Sequence, residues 1–155
     1  MQRSDRKSTR WLLALPAGLV LGCFQDSTPQ HTDYLPLDYQ TTFPVVRTCR
    51  AVPAHGLAYQ KVLANAVAAA PYTAGGSSLP EGSVLAAEQH NDPSCSDLTG
   101  IYLMAKAASG YDIAAGDWRW QRLDANQRVL EDGHLQECSS CHAQPPCSGF
   151  LCSPP

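Results

Sequence analysis

Seven cysteines in a chain of 155 residues limit what this sequence can fold into, and two of them stand beside a histidine in the run Cys138-Ser139-Ser140-Cys141-His142. That spacing matches the attachment pattern of haem c. Two thiols reach the two vinyl groups on one edge of a porphyrin, and the adjacent imidazole swings beneath the ring to bind iron. Cys138 and Cys141 therefore read as the attachment residues of one covalent haem c, and His142 as the axial iron ligand. Two rival readings fit the same five residues. A thioredoxin-type redox pair needs a strand before it and a helix after it, and the Pro-rich tail offers no such helix. A zinc site that recruits Cys147 or Cys152 needs reduced thiolates, which an exported chain does not keep.

Export is expected from the N-terminus. Arg3, Arg6, Lys7 and Arg10 stand against a single Asp5, and an apolar run over 11–22 follows. This is a basic region followed by an apolar one too short to span a bilayer, so residues 1–22 read as a signal peptide. Val20-Leu21-Gly22-Cys23 resembles the lipobox of bacterial lipoproteins, with Cys23 the lipidated N-terminus. Acyl chains on one Cys, each buried CH₂ worth ~0.8 kcal/mol, would hold the protein at a membrane without a spanning helix. Phe24 rather than Asp follows Cys23, which resembles lipoproteins sorted to the outer membrane. The expected location is the periplasm, tethered to that membrane.

The segment 1–22 takes 4 basic and 1 acidic residue from totals of 11 and 14, leaving a net charge of −6. A chain this acidic has no electrostatic footprint for nucleic acid. With Cys23 assigned to lipid and Cys138 and Cys141 to haem, four cysteines remain in an oxidising compartment. Cys49, Cys95, Cys147 and Cys152 then form two disulfides. Three pairings exist, and the reading favours Cys49–Cys95 with Cys147–Cys152.

Residues 24–45 are rich in Pro, Thr, Gln and Asp and read as a partly disordered tether. The expected organisation is a lipidated N-terminus and tether over 23–48 and one domain over 49–155. Leu57, Val62, Leu63, Ala66, Val67 and Ala70 fit one face of a helix over 54–70, ended by Pro71. Strands are expected over 83–87, 100–106, 118–123 and 127–131, the last two joined by a hairpin at Asp124-Ala125-Asn126. One helix with several antiparallel strands makes the class α+β.

A covalent porphyrin needs an apolar pocket, for which Tyr102, Met104, Trp118 and Trp120 are candidates. Met104 is the one methionine beyond the signal peptide, and a thioether is a known sixth ligand in electron-transfer cytochromes. His31, His55, His90 and His134 receive no role.

Three blocks in order resemble the cytochrome P-460 family, which includes the beta-type cytochromes c-prime. They are Leu79-Pro80-Glu81-Gly82-Ser83-Val84; then Met104-Ala105-Lys106 with Gly110-Tyr111-Asp112 and Gly116-Asp117-Trp118; and finally the terminal haem motif. The resemblance runs from about Leu57 to the end. It implies an antiparallel sheet with flanking helices forming a haem c pocket, often as a homodimer. It also implies a five-coordinate iron open to a small gaseous or nitrogen-oxide ligand. Catalytic members carry a lysine cross-linked to the haem edge and a distal carboxylate, and those positions fall on Ala87 and Tyr102 here. Alanine has no amine and a phenol is a poor base at neutral pH, so the expectation is a haem protein that binds a ligand such as nitric oxide. The alternatives are a periplasmic electron carrier, dependent on a redox partner protein, or an oxidoreductase acting on hydroxylamine or nitric oxide without the cross-link.

Overall fold

A computed structural model describes residues 31–56 and 58–152. The signal peptide expected over 1–22, Cys23 and Leu57 lie outside the described residues. Among the described residues six strands form one antiparallel sheet in the order of the chain: β1 Val45–Val52, β2 Ala58–Ala64, β3 Val84–His90, β4 Leu98–Lys106, β5 Trp118–Asp124 and β6 Val129–Gly133. Each strand pairs with the next. Three short helices accompany them: α1 Tyr39–Thr42, α2 Ala66–Thr73 and α3 Gln136–His142. The α+β expectation is met. Among the described residues no helix is long and apolar enough to cross a membrane.

Both faces of the sheet are covered, and the period of two along each strand sorts the side chains between them. In β4, Ile101, Leu103 and Ala105 are buried on one face, while Tyr102, Met104 and Lys106 lie half-buried on the other. The first face packs Leu63, Val84, Ala86, Ile101, Leu103, Ala105 and Leu123 against Leu35 and Tyr39. The second packs Val62, Ala64, Leu85, Trp118 and Trp120 against Ala68 and Tyr72 of α2 and against Leu79. Asn65 ties α2 to β3. Its Oδ1 accepts from the N–H groups of Ala68 and Val84, and its Nδ2 donates to the Gly82 carbonyl. It is thus the N-cap of α2 and a clamp on the start of β3.

The structure differs from expectation in two places. The helix expected over 54–70 is instead the strand β2 followed by α2. Val62 and Leu63 are both buried because β2 is covered on both faces, so neighbouring apolar residues serve different cores. Pro71 does not end α2, which continues to Thr73. The tether expected up to residue 48 overlaps the fold: Leu35 and Tyr39 lie in the core and β1 begins at Val45, so the folded domain starts well before residue 49.

Both favoured disulfides are present. Cys49–Cys95 joins β1 to the turn between β3 and β4, and Cys147–Cys152 closes a short loop after α3. Cys138 and Cys141 are free thiols.

Candidate functional site

The Cys138-Ser139-Ser140-Cys141-His142 run lies on α3, which leaves β6 through His134 and Leu135. Leu135 and Cys138 pack against the cluster that holds Trp118 and Trp120, so α3 sits on the second face of the sheet. Cys138, Cys141 and His142 are at i, i+3 and i+4, neighbouring positions on one side of a helix. Cys138 is half-buried and Cys141 exposed. Burial, followed by the charge of Glu137, pushes the Cys138 thiol up to about 11. A thiol-exchange site works through a thiolate with a depressed value, so the raised value weighs against a redox pair.

His142 is held from one side. Its Nδ1 lies 2.7 Å from the carbonyl oxygen of Phe150. A carbonyl only accepts, so Nδ1 carries the proton and donates, which leaves Nε2 with its lone pair. That is the tautomer a metal-binding imidazole needs. Burial lowers the imidazole's proton affinity, which the Phe150 hydrogen bond opposes. The ring stands edge-on to Trp120, centroids 4.8 Å apart. Trp120 Nε1 is buried with no hydrogen-bond partner.

The residues of the expected distal pocket meet on the same face. Ala87 of β3 is the register partner of Tyr102 of β4, and Met104 that of Trp120. Ala87 and Met104 pack partly buried against the cluster around Trp120. Trp118 is sealed in the core, and its indole N–H donates to the Gly149 carbonyl at 3.3 Å. Lys106 lies over the Trp118 ring and donates to the Gly116 carbonyl, whereas Lys61 pairs with Glu88.

Sequence reasoning missed His55, which follows β1 in a 3-10 turn over Pro53–His55. Its ring lies 5.1 Å from that of Tyr102 and 6.3 Å from that of His142. A hydrogen-bond chain sets its state. Arg47 Nη2 donates to Gln60 Oε1, which turns the Gln60 amide so that its Nε2 faces His55 Nδ1 at 2.5 Å. The amide nitrogen only donates, so His55 accepts at Nδ1 and carries its proton on Nε2. Burial, then the nearby His142 and Arg47, keep this imidazole neutral at neutral pH. No sequence signal linked His55 to a motif 87 positions away, and the Phe150 carbonyl is a backbone atom with no signature at all.

Together the sheet and this site have the chemistry of a haem-binding cytochrome. Two free thiols precede a histidine whose tautomer suits a metal, beside an apolar cluster that holds an unpartnered indole N–H. The family model described as Cytochrome P460 matches residues 36–148, and the chain belongs to that family. No curated protein matches it at a significant level.

Proposed function

We propose that the protein is a c-type cytochrome of the P460 type, holding one haem through Cys138 and Cys141 with His142 as the proximal ligand and the other iron face open to a small ligand such as nitric oxide. The observation that carries this reading is the Nδ1–Phe150 hydrogen bond, which frees His142 Nε2 one residue from an unpaired thiol. When bound, the haem supplies an iron that takes a gaseous ligand or passes an electron. Ala87 and Tyr102 support binding over turnover: facing each other in register, they offer neither an amine for a haem cross-link nor a carboxylate base. The two disulfides and the lipobox-like Val20-Leu21-Gly22-Cys23 support a lipid-tethered protein of an oxidising, periplasmic space.

A pyridine haemochrome test, followed by ferrous spectra with and without carbon monoxide and nitric oxide, decides the matter. The expected result is one covalent haem per chain with a high-spin ferrous spectrum that both gases change. A low-spin, six-coordinate spectrum that neither gas perturbs would overturn the open-face reading. It would favour electron carriage with Met104 as sixth ligand, a reading that Met104→Ala would then check by converting the spectrum to high-spin.

A further inference from the structure

The loop over 147–152 is held at several points. The Cys147–Cys152 disulfide closes it. Inside, Ser148 and Leu151 exchange both backbone hydrogen bonds at 3.0 Å, and the Cys147 N–H returns to the Gln144 carbonyl beyond the end of α3. Gly149 and Phe150 both adopt left-handed backbone, φ 57° and 69°. A β-carbon on Gly149 would lie 1.6 Å from the Ser77 carbonyl oxygen, so only glycine fits there. The Phe150 ring covers Gly116, where a β-carbon would approach it to 2.9 Å. The Trp118 indole holds the Gly149 carbonyl. A phenylalanine in left-handed backbone is strained and persists only where its surroundings over-determine it. What all of this presents is one carbonyl oxygen, that of Phe150, at 2.7 Å from His142 Nδ1.

We infer that the disulfide-closed loop is the positioning device of the axial histidine: it fixes the tautomer, ring angle and donor strength of His142 through the Phe150 carbonyl. The inference rests on the proposed role of His142 as iron ligand. Seven residues lie between His142 and Phe150, Pro145 and Pro146 among them. The disulfide closes the loop that carries Phe150. A carbonyl at Nδ1 gives the imidazole imidazolate character, which strengthens its bond to iron and favours the ferric state. The loop residues are therefore positioning residues that act through His142.

Two variants of the full-length haem protein test this. Cys147→Ser with Cys152→Ser opens the loop without leaving a stray thiol, and Gly149→Ala displaces it with the disulfide intact. The readouts are the ferrous iron–histidine stretching frequency by resonance Raman and the reduction potential. Both variants are expected to lower the stretch and raise the potential. Cys49→Ser with Cys95→Ser serves as the control: it lowers the melting temperature and leaves both readouts in place. Should the opened loop prevent accumulation of protein, Gly149→Ala decides alone. A haem-loaded variant with an unmoved stretch and potential overturns this inference only. A wild-type chain that carries no haem overturns it together with the proposed function.

Discussion

Glu88 is the residue most at odds with its surroundings. It is 0% exposed on β3, among alanines and leucines, on the face opposite α3. A buried carboxylate is tolerated only when its acceptor sites are filled. Here Oε1 accepts from the Tyr39 hydroxyl and the Gln40 amide, both at 2.7 Å, while Oε2 faces Lys61 Nζ at 2.8 Å and His90 Nε2 at 3.1 Å. Four donors from α1, β2 and β3 thus converge on one group. Burial opposes its ionisation, but the hydrogen bonds from Lys61, Gln40 and Tyr39 and the Lys61 charge together hold its carboxyl below the ordinary value. Burial comes first in raising the Tyr39 phenol above its own ordinary value, and the same carboxylate adds to it. Glu88→Gln keeps the shape but strips the charge from beside Lys61, and should cost about 3 kcal/mol of unfolding free energy. Tyr39→Phe removes one hydrogen bond and should cost about 1 kcal/mol. Urea denaturation of the two variants beside wild type measures both, and equal losses would contradict the ranking.

At the scale of elements, the Cys49–Cys95 disulfide fastens the edge strand β1 to the β3–β4 turn across 46 positions of sequence. Closing a loop of that length restricts the unfolded chain, so Cys49→Ser with Cys95→Ser should cost about 4 kcal/mol by the loop-entropy estimate. Urea unfolding reads the loss, and one below about 1 kcal/mol would show that the paired strands alone hold β1. Legibility divides along the same lines. Strand β4 was readable because Ile101, Leu103 and Ala105 alternate with Tyr102, Met104 and Lys106, a period that only a strand uses. Strand β2 was not, because it is covered on both faces, so that Val62, Leu63 and Ala64 run together without alternation, and Leu57, Val62, Leu63 and Ala66 then satisfy helical spacing by coincidence. Helix α1 escaped notice because a single turn buries only Tyr39 and leaves no periodic trace. Within the site, the grouping of Cys138, Cys141 and His142 was legible because its geometry is local to five residues. His55 and the Phe150 carbonyl reach it through the fold, and no pattern in a single sequence encodes that. Glu88 left a usable signal, an acid directly after the apolar run Val84-Leu85-Ala86-Ala87, which the strand expected over 83–87 stopped one residue short of.

Taken whole, the molecule is one sheet with separate duties on its two faces. The face carrying α3 gathers Trp120, Tyr102, Ala87 and Met104 beneath the motif, and the other is closed by α1 and centred on Glu88. Acid should therefore act on the fold in part through the Glu88 face. Glu88 and Asp132 are both held below their ordinary values, Asp132 first by its hydrogen bond from Arg119. A carboxyl so placed binds its proton more weakly folded than unfolded. The unfolded chain then takes up more protons, and stability rises with pH. The Glu88 contribution is complete above its unfolded value of about 4.3 and is lost as pH falls through the lower folded value. Neutral His55, lowered by burial, adds a loss of the same sign below about pH 6.5. Comparing wild type with Glu88→Gln cancels His55 and Asp132 and isolates one group. The difference in unfolding free energy should stay constant from pH 7 to about pH 5. Below about pH 4 it should shrink, as the wild-type carboxyl gains the proton that makes it resemble the amide. Urea titrations at fixed intervals from pH 7 to pH 3 provide the curve, and a difference that holds level over that whole range would mean that the Glu88 charge does not stabilise the fold.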